Sequence, residues 1–184
     1  MTQPVVIILA AGKGERFLAS GATTHKLDAL LSGTPVLMHV INAVKASGLP
    51  WHLVRPPGGT AGMGASVALG VRATPDAPGW LILPGDLPLI QPATLRWIAT
   101  ALHRHPLVVP FFQQQHGHPV AFSRRYFSAL AALDGEDGAR EIVREARHHG
   151  DVADLHLNDP GTVQDVDTLT DLLAMEQASV QTRR

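Results

Sequence analysis

Three cations cluster near the start of the chain: Lys13 and Arg16 lie inside Leu9-Ala10-Ala11-Gly12-Lys13-Gly14-Glu15-Arg16-Phe17, and Lys26 follows shortly after. The small residues Ala10, Ala11, Gly12 and Gly14 let a backbone turn tightly and come close to a ligand, with N–H groups that converge on anionic oxygen. Such a turn beside three positive charges suits a triphosphate, whose charge must be balanced before a nucleophile can reach phosphorus. A strand–turn carrying solvated basic residues would show the same composition. A second glycine-rich turn, Gly62-Met63-Gly64-Ala65-Ser66, offers a helix start for an anion or polar edge, and equally an ordinary capped loop. Opposite charge comes from Asp86 in Gly85-Asp86-Leu87-Pro88. A carboxylate there suits a hard cation such as Mg²⁺, which takes one or two carboxylates plus phosphate oxygens and water; the simpler role is a turn residue ahead of Pro92.

These residues need a scaffold, and the hydrophobic pattern supplies one. Residues 5–9 form an apolar, β-branched run, which predicts a strand buried on both faces. Residues 80–84 repeat that pattern and deliver Asp86 at their C-terminal end, where open parallel sheets bind ligands. Further strands are expected at 51–54, 107–112 and 152–157. After a turn at 113–117, extended structure resumes at 118–122. So short a link makes that pair antiparallel and the sheet mixed. Helices are expected at 35–47, with Thr34 as cap and Pro35 first, then at 66–72, 92–105, 124–133 and 140–149. In the last helix, after Thr168, Leu169, Leu172 and Leu173 are expected to face inward, with 177–184 a frayed tail. The core stripes are Val36, Leu37, Val40, Ile41 and Val44, then Leu95, Ile98, Ala99 and Leu102.

The chain has 184 residues, 45% of them hydrophobic, enough for one domain with a full core. Net charge is −1 with intermixed signs, so the basic footprint of a nucleic-acid or anionic-membrane binder is missing. With no cysteine, disulfides, thiolate metal sites and cysteine nucleophiles are excluded. The composition, and the lack of a long apolar window or signal-peptide pattern, lead us to expect a soluble cytoplasmic protein.

Taken together and in order, these pieces resemble a known family. Leu9 to Phe17 and Lys26 match the Leu-Ala-Ala-Gly-x-Gly-x-Arg-Phe…Lys signature of nucleotidyltransferases with a glycosyltransferase-A-like, Rossmann-like fold. The second glycine turn, Gly85-Asp86-Leu87-Pro88, Gly117-His118-Pro119, Asp137-Gly138-Ala139-Arg140 and Asp165-Val166-Asp167-Thr168 follow in the order of the MobA-like molybdenum cofactor nucleotidyltransferases. Ala11 makes the first turn more similar to the cytidylyl members than to the guanylyl members, which tend to carry glycine there.

The resemblance implies an α/β fold, a single-domain three-layer α/β/α sandwich over residues 1–176 with a mostly parallel, mixed sheet. It implies transfer of CMP from CTP, or of GMP from GTP, to the phosphate of molybdopterin, with Mg²⁺ as cofactor. Leu9, Ala10, Ala11, Gly12, Gly14, Gly64 and Ser66 would surround the nucleotide, Arg16 and Lys26 would bind its triphosphate, and Asp86 and Asp167 would hold the metal. His118 and Arg140 are candidates for the pterin side, or else a structured turn and a surface arginine. In an extended segment Asp165 and Asp167 point to opposite sides, so at most one reaches the metal. Relatives carry a longer insertion between Val54 and Gly62; its shortness here leaves a sheet edge short or exposed. Competing readings are a sugar-phosphate nucleotidyltransferase of the same fold and a non-catalytic carrier that hands molybdenum cofactor to an apo-molybdoenzyme.

Overall fold

The computed structural model describes residues 2–182. Strand β1 (Val5–Leu9) lies inside a seven-stranded sheet, flanked in parallel by β4 (Trp51–Val54) and β5 (Gly79–Pro84). Beyond β5 come β8 (Val120–Ser123), antiparallel to both neighbours, then β6 (Leu107–Phe112), which pairs in parallel with β9 (Val152–His156). The short β7 (Gln115–His116) folds back on β6 on the side that β8 also occupies. The mixed, mostly parallel sheet is therefore as expected.

Strand alternation divides the core in two. Val6, Ile8, Leu81, Leu83 and Val108 face one side, packed by α2 (Val36–Ser47), α4 (Pro92–Leu102) and α7 (Leu169–Thr182). Val5, Ile7, Trp80, Ile82 and Leu107 face the other, against α3 (Met63–Ala73), α5 (Phe127–Ala131) and α6 (Arg140–His148). Each fully buried aliphatic side chain contributes about 1.5–3 kcal/mol before entropy is counted. Both predicted helix stripes are buried. Trp80, the largest buried side chain, donates its indole N–H to the Thr74 hydroxyl at 3.0 Å.

Several element ends differ from the sequence pattern for local reasons. Thr34–Pro35 is not the start of a helix; it forms β3, paired with β2 (Leu30–Leu31) across a turn in which Ser32 and Gly33 both have positive φ. Helix α3 begins at Met63 rather than Ser66, because Gly62 at φ 146° takes a conformation closed to other residues and ends the loop earlier. A 3-10 turn, Arg124–Tyr126, precedes a shorter α5. Helix α7 continues through the residues expected to fray. The Glu176 carboxylate receives the Ser32 N–H, and Met175 is buried beside Leu172, whereas Leu173 is exposed. Residues 183 and 184 lie outside the described residues. Strand β4 forms an open edge, its Trp51 half exposed under the Lys45 ammonium, as the shortened segment after it implied. Among the described residues no helix is long and apolar enough to cross a membrane.

One buried acid sets the position of the segment that returns to the sheet. Asp159 accepts hydrogen bonds from Gln91 N–H, Thr94 Oγ1 and Gly161 N–H, tying the start of α4 to the turn Pro160–Thr162. Gly161 lies so close to Leu89 that a Cβ would meet its carbonyl oxygen at 2.2 Å. The chain is thereby held beside the end of β5.

Candidate active site

The C-terminal ends of β1 and β5 open into a cleft of about 520 Å³. Gly85 N–H donates to the Leu9 carbonyl at 2.8 Å, and a Cβ on Gly85 would lie 2.9 Å from that oxygen. Only glycine lets the two strand ends approach so closely, and this approach brings Asp86 opposite the first glycine turn. Leu9, Ala11, Gly12, Gly14, Arg16, Lys26, Ser66, Asp86 and Asp167 all line the cleft. Arg16 and Asp86 thus share one cavity.

Two ion pairs span it. Lys26 Nζ lies 2.9 Å from Asp86 Oδ2, both side chains less than a fifth exposed, and Arg16 Nη1 lies 3.2 Å from Asp167 Oδ2 in a far more exposed pair. In each, the cation comes from the first glycine turn or the segment just after it, and the anion from the end of β5 or the segment that returns beside it. Exposed pairs of this kind contribute little, about 0–1 kcal/mol, so the Arg16 pair can be exchanged at small cost for stronger charge-assisted contacts to phosphate.

The first turn has a buttress that the motif did not reveal. His25 Nδ1 accepts the Leu27 N–H at 3.2 Å, which leaves Nε2 to donate to the Gly12 carbonyl at 2.7 Å. A Cβ on Gly14, at φ 64°, would meet the His25 ring at 3.2 Å. The only signal in the sequence is adjacency to Lys26.

Three of the expected residues lie away from the cleft wall. Ala10 is buried behind the cleft, its N–H held by the Val54 carbonyl at 2.9 Å. Gly64 does not line the cleft either: a Cβ there would sit 2.2 Å from the Asp137 carbonyl oxygen, so glycine is needed to seat the 134–138 loop on α3. Arg140 is exposed at the first residue of α6 and lines neither this cavity nor the next, because α6 starts beyond the rim that the same loop forms. Ser66 does line the cleft, its hydroxyl 2.6 Å from that of Thr60.

A second cavity, of about 490 Å³, shares Met63, Pro84 and Asp86 with the first and is further walled by His118, Thr162, Val163 and Asp165. Gly117 N–H bonds Pro110 O and His118 N–H bonds Thr162 O, so the chain leaves the β6 ladder between β7 and β8 at this point. His118 is thereby turned into the cavity, with Nδ1 buried and without a hydrogen-bond partner among the described residues. Burial pulls its pKa below the ordinary 6.5, against the upward pull of Asp86 and Asp165. Val166, fully buried, bonds its N–H to the Asp86 carbonyl at 2.9 Å and sends its two neighbours apart. Asp167 enters the first cavity and Asp165 the second. Loss of solvent and the nearby Asp86 charge push the Asp165 carboxyl above its usual range.

Among the described residues no three His, Asp or Glu side chains gather into a protein-only metal cage. The donors present are carboxylates facing an open, cation-lined cleft. That set fits a hard divalent ion completed by phosphate oxygens and water rather than an ion enclosed by protein.

This fold and site define a nucleotidyltransferase. The chain belongs to the MobA-like NTP transferase domain family, whose pattern matches residues 6–152. It is similar to the bifunctional protein GlmU of Stenotrophomonas maltophilia, with 36% identity over 118 residues, or 52% of this chain and 25% of the relative. It therefore spans about a quarter of that relative's length. Among solved structures, Rv0371c of Mycobacterium tuberculosis superposes with a TM-score of 0.77 at 26% identity, covering 95% of this chain and 97% of the other. The same mycobacterial protein is known as a manganese complex, with a TM-score of 0.74 at 24% identity over 96% of this chain and 99% of that one. A nucleotidyl transferase from Methanothermobacter gives 0.78 at 21% identity, with coverage of 98% and 99%.

Proposed function

We propose that the protein transfers CMP from CTP to the phosphate of molybdenum-loaded molybdopterin and releases pyrophosphate. The observation that carries this reading is the meeting of two cavities at Asp86, one cationic and glycine-lined, the other without lysine or arginine in its wall. Two ligands bound in them would face each other at that carboxylate. The Gly12 to Gly14 backbone, Arg16 and Lys26 bind the triphosphate and hold its α-phosphorus towards the second cavity. An acceptor phosphate oxygen attacks that phosphorus, and the bond to the β-phosphate oxygen breaks in line. A phosphate monoester is already anionic near neutral pH, so alignment and charge neutralisation carry the rate and no general base is assigned. Asp86 and Asp167 would hold Mg²⁺, which neutralises phosphate charge when bound. The manganese complex of the mycobacterial relative supports a divalent ion in this fold. Ala11, in the cleft wall, supports CTP over GTP.

The similarity to GlmU favours a second reading, a sugar-phosphate acceptor. Purified protein incubated with Mg²⁺, each nucleoside triphosphate and either molybdenum cofactor or sugar phosphates separates the two. Pyrophosphate release with CTP and molybdenum cofactor, lost on chelation of the metal, is the expected outcome. Release only with a sugar phosphate replaces the acceptor, and no release with any pair leaves a carrier that delivers cofactor to an apo-molybdoenzyme.

A further inference from the structure

His25 stands on a rigid base. Its carbonyl accepts the N–H groups of Asp28 and Ala29, each at 3.0 Å, and Leu27, its side chain buried, is tied to α2 by the bond from Leu37 N–H to the Leu27 carbonyl. From that base the ring reaches back to the first glycine turn. Because Nδ1 accepts the Leu27 N–H, Nε2 carries the proton and donates it to the Gly12 carbonyl. What that bond decides is the direction of one peptide plane. In a trans peptide the C=O and N–H point to opposite sides, so a Gly12 carbonyl drawn towards His25 turns the Lys13 N–H away from it. His25 is not part of the cleft wall, whereas Gly12, Lys13 and Gly14 all are. Among the described residues the N–H groups of those three have no acceptor in the protein. Packing on Gly12 does not fix the plane, since nothing lies within 4 Å of where its Cβ would stand. Turned over, the same peptide would present a carbonyl oxygen to the cleft, and that oxygen repels the phosphate that an N–H attracts.

We propose that His25 is a positioning residue that sets the polarity of the glycine turn: its Nε2–H holds the Gly12 carbonyl out of the cleft and so aims the Lys13 N–H at the triphosphate before the nucleotide arrives. This rests on the placement of the triphosphate in the first cavity, proposed above, and names the residue that prepares that cavity for it. A backbone N–H already aimed at the anion needs no rearrangement on binding, and its bond to a charged oxygen belongs to the stronger class. Lys26 follows His25 in the same turn, so one anchored segment carries both a cation for the triphosphate and the group that orients the backbone opposite it.

Calorimetry on the full chain, with inorganic tripolyphosphate and with CTP, tests the assignment. His25→Asn keeps an acceptor near the Leu27 N–H but is too short to reach the Gly12 carbonyl, and it should weaken both ligands by about 10- to 100-fold. His25→Gln places an amide N–H close to where Nε2 stands and should bring both affinities back to within about threefold of wild type. A role in filling space alone would give no such recovery with an open-chain amide. Thermal melts report that each variant is folded; if His25→Asn does not fold, His25→Ser, whose hydroxyl can also accept the Leu27 N–H, takes its place. Wild-type affinity for tripolyphosphate in the folded shorter variant overturns the role of His25 and leaves the triphosphate placement standing. A loss that His25→Gln shares in full overturns it too. A wild type that binds neither tripolyphosphate nor CTP overturns the triphosphate placement itself, and the role of His25 with it.

Discussion

Replacing Asp86 by alanine is expected to lower turnover at saturating CTP and acceptor by about 10³-fold or more, the scale seen when a preorganised electrostatic group is removed from an active centre. Three observations lead to that size. Asp86 is shared by both cavities, so it alone of the candidate residues faces both the nucleotide and the acceptor. Its side chain is the ion-pair partner of Lys26, the cation proposed to bind the triphosphate. The backbone contact that holds Val166, and with it Asp165 and Asp167, uses the Asp86 carbonyl and survives the substitution. The fold should therefore persist. Lys26 loses a partner, but its flexible stem lets the ammonium move towards solvent, so the melting temperature should fall by only a few degrees. Steady-state kinetics beside a thermal melt checks both halves. Near-normal turnover in a folded variant would remove Asp86 from the reaction.

Lys26→Ala and Arg16→Ala should each cost about 10²- to 10³-fold in kcat/KM for CTP, because each removes positive charge from the triphosphate. Their effects on stability should differ. The Arg16 side chain is 81% exposed and its pair with Asp167 is open to solvent, so its loss should be almost silent in a melt. Lys26 and Asp86 are 18% and 17% exposed. Removing the lysine leaves a largely buried carboxylate without its counter-charge, at a cost of about 1–3 kcal/mol. Mg²⁺ added without nucleotide should recover part of that loss in Lys26→Ala, since the freed carboxylate gains a cation, and should do nothing of the kind for Arg16→Ala. Denaturant titrations with and without Mg²⁺ give the comparison. Equal stability losses, or no response to Mg²⁺, would contradict the placement of Asp86 between lysine and metal.

Much of the scaffold was legible because its signals are local and repeated. The buried runs of β1 and β5, the helix stripes and the short 113–117 link each specify their own geometry, and together they specify a mixed sheet with helices on both faces. The cleft was legible for a different reason: a glycine turn after one strand and an acid after another must meet if those strands are neighbours. Features that depend on close approach between distant segments were not legible. The 134–138 loop resting on Gly64 and the Val54 carbonyl bonded to the Ala10 N–H leave no trace in the local sequence. Arg140 carries a motif residue's identity but sits outside the rim. Pairing of Thr34–Pro35 with Leu30–Leu31 involves two residues a side, too short for any periodicity. The division of labour between Asp165 and Asp167 follows from alternation along an extended segment, but which cavity each would face depended on the Asp86 carbonyl that anchors Val166. His25, which braces the first turn, has no spacing that marks it.

The central claim is that the cationic turn and the Asp86 loop bind one nucleotide and one metal between them. A crystal structure with Mn²⁺ and a non-hydrolysable CTP analogue tests it most directly, since manganese can be located by its anomalous signal. The expected result is a peak coordinated by the Asp86 carboxylate, the triphosphate against the Gly12 to Gly14 backbone and Arg16, and Lys26 Nζ moved from Asp86 to phosphate. A nucleotide bound outside this cleft, or manganese away from Asp86 with the Lys26 pair intact, would contradict it.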